Sequence, residues 1–303
     1  LKKVTMKDIA LQANVSVATV SYVLNNVNNQ TIPQKTRLQI LQIAEELHYI
    51  PNLAARSLVN QKTGLIGILV NETPDMPFWK RYAHSSFIQA LERRLTKAGY
   101  HALLYSLDAD RPSLDIILER KLEAAFLVDV REEYFYTISG HFVEGVPLIL
   151  IDSLIDDKLF KQVVYDFSAA FQQLLPVADS ETCLITESFN NAGLNRYIQD
   201  SVSLSGENVF QVRNPEELNS VLSLAKYRQA IIVNEFIAAY AEKSGAFGEM
   251  AAVCTCGCRE LLGAGIRTFE FREDKAQASF DLMSSLLDEP SSGTKKKNRI
   301  YIG

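Results

Sequence analysis

From Thr63 onward, short apolar runs bounded by turn residues alternate with stretches of helical periodicity, and this rhythm restricts the fold more than any other feature of the chain. The first set reads as strand Leu65–Val70, helix Phe78–Ala98 ending at Gly99, strand His101–Leu107, helix Ser113–Arg120, strand Ala124–Val130, helix Glu132–Phe142 and strand Pro147–Ile151. A second set opens at Val163-Val164-Tyr165. It continues with helix Ser168–Leu175, strand Thr182–Thr186, helix Ala192–Asp200, strand Val209–Val212, helix Pro215–Leu224, strand Ala230–Val233, helix Phe236–Lys243 and strand Met250–Thr255. Successive strands can run parallel only when a crossover, usually a helix, lies between them. The alternation therefore predicts parallel sheets covered by helices, arranged as two similar lobes. Ligands of such sheets are expected outside the carboxyl ends of the strands.

The first sixty residues follow a different pattern. Met6–Ala13 reads as a short helix with Ile9, Ala10 and Ala13 on one face, Thr5 as its N-cap and Asp8 in its first turn. Asn14 tolerates the left-handed backbone of a tight turn, Val15 is buried in that turn, and Ser16 caps a second helix, Val17–Leu24. Two short helices joined this way form a helix-turn-helix. Small residues open the second helix, and the hydroxyls of Ser16, Thr19 and Ser21 are suited to phosphates or base edges. A third helix runs from about Gln34 to Leu47, with Pro33 at its start and Ile40, Ile43, Ala44 and Leu47 as its core stripe. Three short helices around one small core would otherwise read as a structural mini-domain.

Charge divides the chain at the same place. Residues 1–62 carry seven bases against three acids, whereas the remainder carries 24 bases against 33 acids. A basic head on an acidic body is a common layout for a DNA-binding segment joined to a regulatory domain. No apolar run approaches the roughly 18–20 residues of a membrane span. The first eight residues contain an acid and no apolar stretch, and four cysteines fit a reducing compartment better than a disulfide scaffold. The expectation is a cytoplasmic, nucleoid-associated protein without membrane contact.

Motifs of catalysis are absent: the chain has no G-x-S-x-G, no H-E-x-x-H and no phosphate-binding loop. Gly263-Ala264-Gly265 lacks the third glycine of a dinucleotide fingerprint and precedes a strand instead of following one. His48, His84, His101 and His141 are scattered and read as surface or packing residues, and Lys295-Lys296-Lys297 reads as a solvated loop. The chain is expected to be no enzyme and to need no cofactor and no resident metal.

Two separate motifs then carry a resemblance. Val4-Thr5-Met6-Lys7-Asp8-Ile9-Ala10 with Val15-Ser16-Val17-Ala18-Thr19-Val20-Ser21 and Leu24-Asn25 forms the first, and Tyr49-Ile50-Pro51-Asn52-Leu53-Ala54-Ala55-Arg56-Ser57-Leu58 the second. Together they resemble the lactose-repressor (LacI) family of bacterial transcription regulators, closely over residues 4–70 and in outline beyond. The resemblance implies that Val17, Ala18 and Tyr22 face base edges in the major groove. Thr5, Lys7, Ser16, Thr19, Ser21 and Asn25 would hold phosphates or fix the pose. Tyr22 stands where the family usually has Arg; tyrosine cannot make an arginine's two bonds to guanine, so an altered operator is expected. The segment Asn52–Asn60, which includes Asn52 and Ala55, resembles the family's hinge helix, which folds only on DNA, and Leu58 matches its minor-groove wedge.

For the body, the resemblance implies a type I periplasmic-binding-protein fold whose two lobes close on an effector, with the strand Arg299–Ile302 returning to the first lobe. Pro77-Phe78-Trp79 resembles the start of the family's first long helix, whose aromatic ring lines the cleft, although Phe78 and Trp79 also read as core residues of a helix start. Arg196 is matched to a ligand-binding arginine, against the reading of an exposed helical one, and Asn234-Glu235 to a frequent Asn-Asp. Asp166 opens a segment similar to Asp-Asn-x-x-Gly. Cys256 falls where the family has the acid of Gly-Phe-Asp. Within Val253–Cys258, the thiols of Cys254, Cys256 and Cys258 would share one side of a strand, which raises a thiol or soft-metal signal as an alternative.

The whole reading is a helix-turn-helix head at 1–49, a hinge at 50–62 and an effector and dimerisation domain at 63–303. Lobe one would span about 63–162 plus the last strand, and lobe two about 163–285. Its expected partners are a double-stranded DNA operator, a small-molecule effector such as a sugar or related metabolite, and a second copy in a homodimer, with a tetramer left open. The dimer surface is expected on the helices of the first lobe. An effector-independent regulator of the same fold is the other alternative.

Overall fold

The computed structural model describes residues 4–25, 31–49, 62–108, 120–143, 145–174, 181–289 and 297–303. Two compact units, Leu1–Thr63 and Gly64–Gly303, make up the chain. All but the last residue of the expected hinge, with Asn52, Ala55 and Leu58, and all but the last residue of the expected helix at 113–120 lie outside the described residues.

The first unit contains helices α1 (Met6–Ala13), α2 (Val17–Leu24) and α3 (Gln34–Glu46). Ile9, Ala10 and Ala13 of α1, Val20 and Val23 of α2, and Ile40, Ile43 and Ala44 of α3 form its core. Helices of 8, 8 and 13 residues are marginal on their own, so this shared apolar cluster holds them. Asp8 accepts from the Thr5 backbone N–H and from the Thr5 hydroxyl, each at 2.7 Å, and so fixes the entry to α1. Asn14 adopts the left-handed conformation at φ 53°, which ends α1 and sets the turn into α2.

The second unit begins with strand β1 (Leu65–Glu72), helix α4 (Phe78–Lys97), strands β2 (His101–Asp108) and β3 (Ala124–Val128), helix α5 (Glu132–Ser139), and strands β4 (Leu148–Ile151) and β5 (Lys161–Tyr165). Next come helix α6 (Phe167–Leu174), strand β6 (Thr182–Glu187), helix α7 (Ala192–Ser201), strand β7 (Val209–Val212), helix α8 (Pro215–Leu222), strand β8 (Gln229–Val233), helix α9 (Glu235–Ser244) and strand β9 (Glu249–Cys254). Strand β10 (Arg267–Glu270), helix α10 (Lys275–Asp288) and strand β11 (Arg299–Ile302) complete it.

These strands form two sheets, ordered β11-β5-β4-β3-β1-β2 and β10-β9-β8-β6-β7, and every pairing is parallel. Both faces of each sheet are covered, so strand residues alternate between two cores instead of between core and solvent. In β3, Ala124, Phe126 and Val128 join one cluster, with α4 and α10. Ala125 and Leu127 join the other, with Phe135 and Ile138 of α5. The second sheet is covered by α8 and α9 on one face and by α6 and α7 on the other.

The second lobe starts later than the sequence pattern implied. Val163-Val164-Tyr165 is the end of β5, which pairs with β4 and β11 in the first sheet. An apolar run marks a buried strand but carries no label for its sheet. The helix α10, absent from the sequence reading, packs Ala276, Leu282, Met283 and Leu286 into the first lobe's core. The last strand returns to the first lobe as expected, with Arg299 opposite Gln162 and Ile302 opposite Tyr165.

Candidate functional site

Two surfaces carry chemistry, one in each unit. In the first unit, Ser16 ends the turn and its hydroxyl accepts from the Thr19 backbone N–H at 3.0 Å, so the side chain is used as the cap of α2. The Ser16 and Thr19 hydroxyls also bond each other at 2.9 Å, which holds both at the helix start. Val17 and Ala18 point outward, with Val17 41% exposed. Tyr22 is half-buried one turn further on, and Asn25 donates to the Ser21 hydroxyl at 3.1 Å. Thr5 and Lys7 are exposed at the start of α1. The helix thus presents two small apolar residues and a ring of hydroxyls, and buries Val20 and Val23 beneath them.

In the second unit, the carboxyl ends of strands from both sheets border a cavity of about 310 Å³. Asp152 follows β4, Tyr165 ends β5, Glu187 ends β6, Cys254 ends β9 and Glu270 ends β10; all five line it, with Phe87 and His84 from α4 and Lys275 from α10. The backbone is bent to achieve this. Asp129, Asp152 and Asn234, each just after a strand, hold left-handed φ values of 51°, 49° and 86°. Asp and Asn bear that conformation better than other side chains, but it still costs about 1 kcal/mol or more and persists only where the surroundings enforce it.

Ion pairs organise the cavity and the seam behind it. Lys275 donates to Asp152 at 2.6 Å, and its ammonium lies 4.3 Å from the Tyr165 ring centre. Burial opposes the Lys275 charge, yet Asp152 beside it holds the pKa above the ordinary lysine value. Lys80 pairs with Asp129 at 2.5 Å and donates to the Ser188 carbonyl at 3.1 Å. The Asn190 backbone N–H donates to Asp129 at 2.8 Å, and Asn191 donates to the Val130 carbonyl at 3.0 Å while accepting from Leu154 N–H at 2.9 Å. These contacts join the two lobes. Burial pushes the Asp129 carboxyl up to about 6, against the pull of Lys80, and the Glu187 carboxyl up to about 7, against a bond from Asn234. Burial, aided by Lys80 and Lys275, lowers His84 to about 3, so its ring is neutral at physiological pH.

Of the residues matched to the effector site, Cys256 lines the cavity, and Asn234 stands behind it, donating to Glu187 at 3.1 Å. The others line none of it. Trp79 is buried in the second lobe's core, and the exposed Phe78 packs edge-on to Trp79 and Phe236. Their helix is seated in the first lobe, and its opening aromatics lock onto the second. Asp166 accepts from the Ala169 N–H at 3.0 Å at the start of α6, and Arg196 is exposed on α7.

The cysteine segment also departs from expectation. Strand β9 stops at Cys254, and the chain then wraps the buried carboxylate of Glu235. Glu235 accepts from the N–H groups of Thr255 at 2.9 Å, Cys256 at 2.9 Å and Cys258 at 3.0 Å, with Gly257 at φ 70° completing the turn. The thiols therefore do not share one side of a strand. Burial pushes Cys254 up to about 12 and Cys256 higher still, which holds both thiols in the protonated form. Among the described residues, no group of three His, Cys, Asp or Glu is arranged to hold a metal.

Sequence reasoning missed Asp152, Tyr165, Glu187, Lys275 and the cavity role of His84. A signal existed for most of them: each of the first three stands at or just after the carboxyl end of a strand. Lys275 follows Asp274, whose side chain accepts from Gln277 N–H at 3.0 Å, a cap pattern readable as a helix start.

A helix-turn-helix unit followed by two parallel α/β lobes of the type I periplasmic-binding-protein kind is the architecture of the Lac repressor. The Lac repressor dimer bound to operator and the anti-inducer ONPF matches with a TM-score of 0.74 at 16% identity, over 99% of this chain and 96% of that one. The CelR–cellobiose complex matches with a TM-score of 0.57 at 14% identity, over 99% and 97%. The family model described as bacterial regulatory proteins, lacI family, matches residues 5–52 of the chain. The sucrose operon repressor of Klebsiella pneumoniae is 34% identical over 168 residues, 54% of this chain and 48% of the relative. The fructose operon regulatory protein of Vibrio cholerae is 28% identical over 178 residues, 55% and 52%. The chain spans about half the length of these curated relatives. Among the described residues, no helix is long and apolar enough to cross a membrane.

Proposed function

We propose that the chain is a sequence-specific DNA-binding transcriptional repressor that binds a near-palindromic operator as a homodimer, under the control of a small molecule held between its lobes. The observation that carries this reading is the outward face of α2. Its Val17, Ala18 and Tyr22 are offered for base edges, while Ser16, Thr19 and Ser21, with Thr5, Lys7 and Asn25, serve phosphates. Val17 and Ala18 can read a thymine methyl by contact but can make no bidentate bond, so part of the specificity rests on shape and on the half-site spacing of the dimer. Asn52, Ala55 and Leu58 complete the interface as a hinge, with Leu58 wedged into the minor groove.

The cavity supports the regulatory half of the reading. It lies at the carboxyl ends of strands from both sheets, where ligands of parallel sheets bind. Named relatives regulate fructose and sucrose operons, and a structural neighbour is a cellobiose complex. We assign the cavity to a hydroxylated metabolite whose binding changes operator affinity by about 5–150-fold, a coupling of about 1–3 kcal/mol.

Selection of bound sequences from a random duplex pool, using the full chain, tests the reading. The expected result is a two-fold symmetric site bound about 10³-fold or more tighter than unrelated DNA. Equal affinity for all duplexes overturns it.

A further inference from the structure

The charges around the cavity do not balance. Three carboxyls, Asp129, Asp152 and Glu187, are buried within mutual electrostatic reach, with exposures of 0%, 9% and 3%. Two ammonium groups face them, and both are taken: Lys80 by Asp129 at 2.5 Å and Lys275 by Asp152 at 2.6 Å. Both ammonium groups also act on Glu187 through space, but it is the carboxyl that neither of them bonds. Among the described residues the one hydrogen bond to its side chain comes from Asn234, a neutral amide, at 3.1 Å on Oε1. The remaining basic side chain nearby, His84, lies between two lysines and carries no charge at neutral pH. The other acids on the cavity wall, Glu270, Glu273 and Asp274, add no positive charge, and among the described residues no arginine lines it.

A second set of observations concerns the walls. His84 is 6% exposed and lines the cavity, and its Nδ1 has no hydrogen-bond partner among the described residues. Aromatic rings surround the space: Phe87, Tyr165, Phe167, Phe189 and Phe271. These rings already accommodate cations, with Lys275 over Tyr165 and Phe87 and Lys80 over Phe189. A volume of about 310 Å³ is at the small end for ligand sites, room for one ring and its substituents.

We propose that the cavity takes a protonated amine carried on a single hydroxylated ring, with the ammonium paired to Glu187 and the ring against the aromatic wall. An anionic metabolite, such as a sugar phosphate or a sugar acid, is rejected because it would bring a further negative charge beside an unpaired carboxyl. A neutral sugar fills the space but leaves Glu187 without a cation. This assignment rests on the reading of the cavity as the effector site and narrows the ligand class.

Calorimetry on the full chain with glucosamine, galactosamine and mannosamine, beside glucose, galactose, mannose and glucose 6-phosphate, tests it. The expected result is one amine bound roughly ten- to a hundredfold more tightly than its neutral parent, the range of a hydrogen bond between charged groups, with no binding of the phosphate. Glu187→Gln keeps the shape and the bond from Asn234 and is expected to erase that preference. Should the variant fail to fold, titration of the unsubstituted chain in two buffers of different ionisation enthalpy replaces it. Amine binding is expected to release protons from Glu187 near pH 7, and neutral sugars to release none. A neutral or anionic probe bound as tightly as the amine, a Gln variant that keeps the preference, amine binding without proton release, or no amine bound at millimolar concentration overturns the proposal. Operator binding by the same preparation, measured separately, shows whether the regulator reading fails with it.

Discussion

Glu187 shows how a single buried carboxyl couples the cavity to stability. Its folded pKa of about 7 lies above that of an exposed glutamate, so the folded state holds the proton more tightly than the unfolded state. Such a group stabilises below the unfolded value, and that contribution is lost as pH rises toward and through 7. Glu187→Gln, which has no proton to lose, is expected to melt at higher temperature than the unsubstituted chain at pH 8, by about 1–3 kcal/mol of stability. The advantage should vanish near pH 4.5, and thermal unfolding followed by circular dichroism across that range is the check. A higher melting temperature for the unsubstituted chain at pH 8 would show that the carboxylate is satisfied after all. Glu187 was legible only by its place at the carboxyl end of a strand, because a glutamate ending an apolar run otherwise resembles a solvated strand terminus. Only the pairing of Lys80 and Lys275 with other acids leaves it without a bonded cation. Trp79 misled in the opposite sense: an aromatic at a helix start fits a cleft or a core, and only tertiary packing against Val212, Leu218 and Ile237 decides for the core.

At the scale of elements, the joint between lobes is built from helix and strand ends. Gly193, in the first turn of α7, lies so close to the loop after β4 that an added Cβ would stand 2.4 Å from the Leu154 carbonyl oxygen. The nearest atom is backbone, so the closest contact cannot be relieved by a side-chain rotation. Gly193→Ala is therefore expected to destabilise the second unit by about 1–3 kcal/mol, the usual range for overpacking, as read by urea unfolding. An unchanged midpoint would mean that the loop moves freely there. Existence and order of elements were largely readable: α1, α2, β7 and β11 fall on the residues expected, because capping residues and short apolar runs mark them locally. Which sheet β5 joins was not readable, since Val163 and Val164 would be buried in either lobe. Helix α10 was overlooked although Asp274 and Gln277 spell its cap, because its apolar residues are interspersed with Ser279, Ser284 and Ser285 and give a weak stripe.

For the whole molecule, the proposal links a neutral-faced reading helix to an acid-rich cavity through a hinge. Leu58→Ala in the full chain is expected to remove most of the specific affinity, about 2 kcal/mol or more, the usual loss on truncating a buried anchor whose bend the other contacts need. Weak, salt-sensitive binding to any duplex should survive, since phosphate contacts supply it. Fluorescence anisotropy on the selected operator at two salt concentrations separates the two contributions, and equal operator affinity for both chains would refute the wedge. The assignment of α2 as the reading element is tested most directly at Tyr22, where arginine would bring a bidentate donor to the groove. Sequence selection from a random duplex pool by the full chain and by Tyr22→Arg is the decisive comparison. One position in each half-site is expected to shift to guanine while the remaining positions keep their preference. Identical profiles for the two chains, or no enriched sequence for either, would contradict it.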